Sequence, residues 1–168
     1  MQTTLNLKVK QRESFRPFAP AVLKERAADW FELDRDSPYM MLVATVANHK
    51  RTTTPADEGA FGIDLLKQIR STIPAVTHVD YSARVQTVDA DTNPRFHQLL
   101  AEFEAITGCP VLINTSFNVR GEPIVHSPKD AYHCFMNTGI DRLVIDNYLL
   151  RKEDQPSTNV LARQFELD

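Results

Sequence analysis

Residues 109–125, CPVLINTSFNVRGEPIV, form the stretch of this 168-residue chain that decides its fold. The apolar run at 111–113 is typical of a buried strand, and it breaks off into amides and hydroxyls at 114–118. Gly121 and Pro123 exclude a regular element after it and indicate a turn. A core strand that ends in hydrogen-bonding side chains predicts a ligand-binding loop at the carboxyl end of a sheet.

The side chains of this loop suit an anionic, oxygen-rich ligand such as a phosphate. Asn114, Ser116 and Asn118 can donate to phosphoryl oxygens, and Arg120 offers a planar fork of donors. Ser116 lacks the G-x-S-x-G pattern of a hydrolase nucleophile, which disfavours a serine hydrolase. The sequence also has no Walker A pattern and no metal-ligand spacing, so a nucleotide would bind outside the P-loop scheme.

Around this stretch, strands alternate with helices, which predicts an α/β fold with a mixed sheet. The clearest helix covers 93–107, with Asn93 as its cap, Gly108 after its end, and an apolar face of Phe96, Leu99, Leu100, Phe103 and Ile106. A second helix begins at Ser127 and turns inward Ala131, Cys134 and Phe135. Shorter helices are predicted at 24–33 and 63–71, strands at 39–47, 76–79, 83–88 and 142–146, and a surface loop at 48–62.

Composition and charge narrow the class of protein. With 42% hydrophobic residues and no run of 18 apolar ones, the chain is expected to be globular and to have no membrane partner. Its start has no apolar leader segment, and Cys109 and Cys134 are typical of free thiols in a cytoplasmic protein. The net charge of −3 disfavours nucleic acid as a partner.

Basic charge is nevertheless concentrated at the start of the chain, where the first 24 residues hold five basic side chains and one acidic one, Glu13. The two prolines of RPFAP exclude a helix interior, so residues 1–23 are interpreted as an extended segment that forms an edge strand. Lys8, Lys10 and Arg12 would then share one face, which Arg16 can join. The four form either a solvated edge strand or a cationic clamp for polyphosphate.

A third candidate region is 78–84, HVDYSAR. Arg84 lies on a predicted strand between two apolar residues, where it is either a salt-bridged surface arginine or a phosphate ligand at the same cleft. His78 is interpreted either as a satisfied core histidine or as a ligand-binding group.

These segments together resemble the C-terminal domain of the O-carbamoyltransferases, a family that includes the nodulation carbamoyltransferase and enzymes that tailor tobramycin and cephamycin. The resemblance runs in order over about residues 5–150. It is carried by VKQRESFRPFAPAVL, SPYMMLVATV, IPAVTHVDYSARVQTV, PRFHQLLAEFEAITGCPVLINTSFNVRGEPIV and SPKDAYHCFMNTGIDRLVID. Tyr81 replaces the family's glycine in its H-V-D-G block, and the connection at 48–71 is longer than the family's.

The resemblance implies a YrdC-like domain over 5–150, in which a twisted mixed sheet with flanking helices surrounds a basic cleft. The polar, acidic composition of 151–168 predicts a tail after it. The K-x-R and S-x-N signature of the broader group is present as Lys10-Gln11-Arg12 and Ser116-Phe117-Asn118, which implies one shared ligand. The family's N-terminal transferase domain has no counterpart in these 168 residues, so it is expected as a partner in cis or in trans.

The family's chemistry, as the resemblance implies it, begins with cleavage of carbamoyl phosphate to carbamate and phosphate. Carbamate then attacks the α-phosphate of ATP, which gives carbamoyl-adenylate and pyrophosphate, and the separate domain passes the carbamoyl group to a substrate hydroxyl. The implied catalytic residues are Arg84, Ser116 and Asn114. The implied ligands of ATP, which would bring Mg²⁺, are Lys10, Arg12, Arg16, Asn118, Arg120 and His78.

Two other functions are compatible with the same K-x-R and S-x-N residues and the same basic cleft. A threonylcarbamoyl-adenylate synthase for tRNA modification has the same K-x-R and S-x-N residues but would use threonine and bicarbonate. A non-catalytic module would hold a nucleotide or RNA in the same basic cleft. Release of pyrophosphate with carbamoyl phosphate as co-substrate distinguishes the carbamoyltransferase domain from both.

Overall fold

The computed structural model describes residues 1–52, 61–62, 65–66 and 68–156. The chain forms two compact units. Unit 1 combines Met1–Arg16 with the chain from Ser116 onward, and unit 2 is the continuous segment Pro17–Thr115. The predicted loop at 48–62, helix at 63–71 and tail at 151–168 lie partly outside the described residues.

Unit 2 is built on a four-stranded sheet with the order β2-β3-β1-β4. Strand β1 is parallel to β3 and antiparallel to β4, and β2 is antiparallel to β3, so the sheet is mixed. The strands are β1 Ala19–Leu23, β2 Leu42–Thr45, β3 Ser82–Val88 and β4 Val111–Asn114. With its flanking helices, this sheet confirms the predicted α/β class.

The side chains of β3 alternate between two differently filled faces of the sheet. Ala83 and Val85 are fully buried, whereas Arg84 between them is exposed. Successive residues of a strand point to opposite faces, so Ala83 and Val85 share one face with the buried Thr87. Arg84 and Gln86 lie on the other face, where Val88 at the end of the strand is buried against Leu100.

Strand β1 lies inside the sheet although it contains Pro20. Its pairing with β3 begins at Ala21, one residue later, so proline's missing N–H group falls where β1 has only one neighbour. The predicted strand at 39–47 is shorter in the structure and forms the sheet edge as β2.

Helices α2 (Ala27–Trp30) and α3 (Pro94–Thr107) complete unit 2. Helix α3 ends as predicted at Gly108, whose φ of 73° is left-handed. Its predicted apolar face is wrong in part, because Leu100 is fully buried on the sheet whereas Leu99 and Ile106 are exposed. Only the stripe through Phe96 and Leu100 packs against the sheet, so a single layer of strands covers one narrow side of the helix.

Two further predictions in unit 2 are wrong. Asn93 precedes α3 but makes no side-chain cap hydrogen bond. The strand predicted at 76–79 is instead a 3₁₀ turn, Pro74–Val76, followed by a tight turn. Pro74 at the first position of that turn fixes a helical φ, which overrides the short apolar alternation.

The prediction of an extended edge strand over 1–23 is wrong for the start of unit 1, which is helical. Within that range Ala19–Leu23 is extended, as strand β1, but it lies inside the sheet rather than at its edge. Helix α1 covers Gln2–Leu5 and continues into a π-helical turn, Asn6–Lys10, that ends at the left-handed Gln11. The first 16 residues contain neither proline nor glycine, and the prolines of RPFAP act only on the chain that follows. Lys8, Lys10 and Arg12 therefore do not share a strand face.

The rest of unit 1 contains helix α4 (Pro128–Asn137) and a hairpin of β5 (Arg142–Ile145) and β6 (Tyr148–Arg151). Ser127 caps α4 as predicted, because its side chain accepts a hydrogen bond from the backbone N–H of Asp130. Ala131, Cys134 and Phe135 are buried as predicted, and Leu143 joins Ala131 and Phe135 in one core cluster. Strand β6 was not predicted.

Gly139 follows α4 at a point where the backbone approaches the start of the chain. Its N–H donates to the carbonyl of Lys8 at 2.7 Å. A Cβ at this position would lie 2.7 Å from Lys8 Cβ, so only glycine fits. The N-terminal helical segment is in this way fixed to the C-terminal part of unit 1.

Candidate anion-binding site

Unit 1 contains a pocket of about 220 Å³ at the place where its two chain segments meet. One wall is formed by residues between Lys10, at the end of the π-helical turn, and Arg16. The other is formed by the loop from Ser116 to Arg120, which comes after β4 in the sequence. Four basic residues and one acidic one contribute charge to the lining, which consists of Lys10, Arg12, Glu13, Arg16, Ser116, Asn118, Val119 and Arg120. Six of the nine residues predicted to form the site therefore lie in one pocket.

Lys10 braces the loop that forms the second wall. Its side chain is buried, and the ammonium donates to the backbone carbonyls of Ser116 at 2.7 Å and Asn118 at 2.8 Å. It also donates to Asn118 Oδ1 at 2.8 Å and lies 3.3 Å from Ser116 Oγ. Since an ammonium has three protons, these oxygens engage all of them. Lys10 holds the loop in shape and adds positive charge beneath the pocket.

Burial lowers the pKa of Lys10, and the nearby guanidinium of Arg12 lowers it further, whereas Cys134 acts in the opposite direction. Burial likewise lowers the pKa of Arg12, with Arg16 adding to the effect and Glu13 opposing it. Burial is the larger cause of both shifts, and the neighbouring guanidinium groups that add to it show that positive charges lie close together in this part of unit 1. Such crowding favours the binding of an anion, because the anion relieves the repulsion.

The side chains of Ser116 and Asn118 are directed toward each other. Ser116 Oγ donates to Asn118 Oδ1 at 2.6 Å, and Asn118 Nδ2 donates to the carbonyl of Glu122 at 3.0 Å. The backbone N–H of Arg120 donates to the carbonyl of Lys10 at 3.2 Å. The S-x-N residues therefore shape the loop here, and the prediction that they donate to a ligand stays a prediction.

Three guanidinium groups border the pocket. Arg12 Nε donates to Asn6 Oδ1 at 2.7 Å, and Asn6 is itself fully buried. Arg16 and Arg120 each lie about 4 Å from Glu13, at 4.0 and 3.9 Å, and their side chains are largely exposed. Planar forks of this kind bind phosphate oxygens in pairs.

The remaining predicted residues, Arg84, Asn114 and His78, belong to unit 2. Arg84 is exposed on β3, directly across from Val43 on the edge strand. Gln86 lies two residues further along the same face, where its Oε1 accepts a hydrogen bond from Asn114 Nδ2. Gln86 Nε2 donates to the carbonyl of Pro38 at 3.1 Å. Unit 2 thus has a polar sheet face of its own, formed by Arg84, Gln86 and Asn114.

Gln86 is a polar-face residue that the sequence interpretation missed. In β3, Ser82, Arg84 and Gln86 alternate with Ala83 and Val85. This period of two was the available signal, because it places Ser82, Arg84 and Gln86 on the face opposite Ala83 and Val85.

His78 is not a core histidine, so that interpretation is wrong. It is exposed at the start of a turn, where its carbonyl accepts from the N–H of Tyr81 at 3.0 Å. Tyr81 has a left-handed φ of 64°, a backbone conformation that favours glycine. The guanidinium of Arg51 lies 4.9 Å from the centre of the Tyr81 ring, so a cation–π contact supports the unfavourable backbone conformation.

Within the part of the chain that the structure describes, no group of three His, Cys, Asp or Glu residues could hold a metal ion. None of the helices among these residues is both long and apolar enough to cross a bilayer.

Comparison with known proteins gives a consistent result over nearly the whole chain. The family model for the carbamoyltransferase C-terminus matches residues 1–152. An uncharacterized protein of Synechocystis is 57% identical over 100% of this chain, and NolO, a nodulation protein of Bradyrhizobium diazoefficiens, is 40% identical over 88% of it. The 3′-hydroxymethylcephem-O-carbamoyltransferase of Amycolatopsis lactamdurans is 36% identical over 86% of it.

These relatives are much longer proteins. The matched region covers 28% of the Synechocystis protein and 24% of each of the other two. The chain therefore spans about a quarter of the length of the curated relatives it matches.

Proposed function

The chain belongs to the carbamoyltransferase C-terminal family, and on that premise we propose that it forms carbamoyl-adenylate from carbamoyl phosphate and ATP. One water molecule first hydrolyses carbamoyl phosphate, so that the bond between its carbamoyl and phosphate groups breaks and carbamate and inorganic phosphate form. A carbamate oxygen then bonds to the α-phosphorus of ATP, and the bond from that phosphorus to the bridging oxygen breaks. The products of this second step are carbamoyl-adenylate and pyrophosphate.

The Lys10-braced pocket is the observation that carries this proposal. Three guanidinium groups and a buried ammonium meet in a volume of about 220 Å³, below the roughly 300–1,000 Å³ of sites for whole drug-sized ligands. A space of this size and charge suits the phosphate part of a ligand rather than a complete nucleotide. Pyrophosphate is the group on which negative charge develops in the adenylation step.

In this mechanism the arginines of unit 1 stabilise the leaving pyrophosphate. Arg12, Arg16 and Arg120 would pair with its oxygens as the bond to the α-phosphorus breaks, which lowers the barrier electrostatically. Lys10 acts by holding the loop and by its charge. The S-x-N residues would orient the phosphate groups through the loop that they shape.

The polar sheet face of unit 2 is proposed to bind and orient the carbamoyl group. Asn114 is oriented by its bond with Gln86, so its amide is fixed before a ligand arrives. Arg84 offers a guanidinium on the same face. Carbamate is short-lived in water, so these groups need to hold it while water is excluded.

Mg²⁺ fits this proposal as a companion of ATP. Among the described residues no group of three His, Cys, Asp or Glu side chains could hold the ion, so Mg²⁺ would be held mainly by the phosphates of ATP and by water. When bound, Mg²⁺ would neutralise phosphate charge. The residues of the chain described above bind and orient the remaining oxygens.

Transfer of the carbamoyl group to a hydroxyl is assigned to a separate domain, in cis or in trans. The chain spans about a quarter of its relatives' length, so most of each relative is available for such a domain. The name of the Amycolatopsis relative describes a carbamoyltransferase of a hydroxymethyl cephem, which fits an alcohol as acceptor class.

The test is release of pyrophosphate by the 168-residue chain supplied with ATP, Mg²⁺ and carbamoyl phosphate. We expect release that depends on carbamoyl phosphate, and a loss of more than tenfold in Arg16→Gln or Arg120→Gln, because each removes a charge-assisted contact. Arg35→Gln is the matched control, since Arg35 pairs with Asp34 at an exposed position of unit 2.

Each alternative outcome has a distinct meaning. Turnover with threonine and bicarbonate in place of carbamoyl phosphate would identify a threonylcarbamoyl-adenylate synthase. Binding of ATP without pyrophosphate release would identify a non-catalytic nucleotide-binding module. Either result would overturn the proposed reaction.

A further inference from the structure

Glu13 has a distinctive position in the pocket of unit 1. It is the one acidic residue in the lining, and its two oxygens face different arginines. Oε2 lies 4.0 Å from Arg16 and Oε1 lies 3.9 Å from Arg120. Both distances exceed those of hydrogen bonds, so the carboxylate is held between the two guanidinium groups by charge alone.

These two ion pairs are easily replaced. The side chains of Glu13, Arg16 and Arg120 are 47%, 60% and 72% exposed, and pairs at such exposure contribute little net free energy. A phosphate group can offer each arginine two short, charge-assisted hydrogen bonds instead. A ligand with several phosphate oxygens therefore competes well for both arginines.

From this arrangement we infer that Glu13 is a displaceable counter-ion that keeps the binding of pyrophosphate weak enough for release. The inference rests on the proposed function. Before the ligand binds, the carboxylate offsets the repulsion between Arg16 and Arg120 and keeps both at the pocket. When polyphosphate binds, the arginines turn to it, and the carboxylate stays nearby as a like charge that favours dissociation.

Glu13 is thus a positioning residue, and removing its charge should tighten binding rather than weaken it. At the separations and exposure involved, one unit of like charge changes the affinity for a multiply charged anion by about 3- to 10-fold. A residue that merely supported the fold would change affinity in the opposite direction when removed.

The experiment measures binding of inorganic pyrophosphate to the 168-residue chain by calorimetry, without divalent cations and at low salt. We expect Glu13→Gln and Glu13→Ala to bind pyrophosphate about 3- to 10-fold more tightly than the native chain. This difference should shrink at 0.5 M salt, where the electrostatic screening length is only about 4 Å. Glu153→Gln is the matched control, because Glu153 is an exposed partner of Arg142 in the same unit.

Equal or weaker binding by both Glu13 variants, with the native chain still binding pyrophosphate, would overturn this inference alone. Weaker binding only when Mg²⁺ is present would make Glu13 a metal ligand and would also overturn it. If the native chain does not bind pyrophosphate at all, the proposed function fails together with the inference.

Discussion

The two units position their polar side chains by different physical means. In unit 1, a buried lysine draws the loop after β4 around its ammonium, so the pocket depends on a few charged hydrogen bonds between distant parts of the sequence. In unit 2, the register of a sheet places Arg84, Gln86 and Asn114 on one face, and the core behind them keeps that face in place. The pocket therefore depends structurally on the Lys10 ammonium, whereas the sheet face should keep its backbone when any one of its polar side chains is replaced.

The largest effect is expected for Lys10→Met. It would leave the carbonyls of Ser116 and Asn118 without their donor and remove a buried charge, which should lower the free energy of unfolding by about 2–4 kcal/mol and abolish pyrophosphate binding. Lys8→Met is the control, since Lys8 is exposed two residues away. Denaturant unfolding measures the free energy of unfolding, and calorimetry measures pyrophosphate binding. Equal values for Lys10→Met and Lys8→Met would contradict the claim that Lys10 holds the loop.

Next in size are Arg84→Ala and Ser116→Ala, one from each unit. Each should lower turnover by more than tenfold while the free energy of unfolding changes little, because both side chains are exposed. Pyrophosphate release and thermal unfolding measure the two quantities. Near-normal rates in either variant would remove that residue from the site.

A smaller effect is expected for Gln86→Met, which keeps the length of the side chain but removes the acceptor of Asn114 Nδ2. The lost hydrogen bond should cost about 1 kcal/mol of stability, and turnover should fall by about 3- to 10-fold because Asn114 is no longer oriented. Gln98→Met, at an exposed position of α3, serves as the control. Unchanged turnover with reduced stability would show that Gln86 has a structural role only.

The smallest effect concerns the turn before β3. Tyr81→Ala keeps the left-handed backbone and loses the ring contact with Arg51, whereas Tyr81→Gly relieves the backbone strain. We expect the glycine variant to be more stable than the alanine variant by about 1 kcal/mol, the reverse of the usual order in a regular element. Denaturant unfolding of the two variants measures the difference directly.

The sequence was sufficient for the elements that depend on local patterns. The helix at 93–107, the cap at Ser127 and strand β3 follow from periodicity and from side chains next to the ends of the elements. The helical start of unit 1 could not be predicted from RPFAP, because a proline restricts its own backbone and the residue directly before it but not residues further toward the N-terminus. The exposure of Leu99 and Ile106 depends on how much sheet lies beneath α3, which local patterns do not contain.

Most residues that line the pocket could be named from the sequence, but the directions of their side chains could not. Basic residues near the start and the S-x-N loop were expected near one ligand, and the structure brings them together in unit 1. The sequence could not show that the Lys10 ammonium is directed into the loop rather than toward a ligand, because its partners lie 106 residues away. Glu13 and Gln86 were passed over since single polar residues on a surface carry little signal by themselves.

The pairing of Ala19 with Asn114 has a consequence for synthesis of the chain on the ribosome. Lys10 is made 106 residues before Ser116, an interval of about 5–20 s at ordinary rates of translation. The segment made in between is unit 2, and pairing of β1 with β4 brings its first and last residues side by side. That step shortens the loop that must close between the segment Met1–Arg16 and the residues from Ser116 onward, which lowers its entropic cost, so we expect unit 2 to form before unit 1.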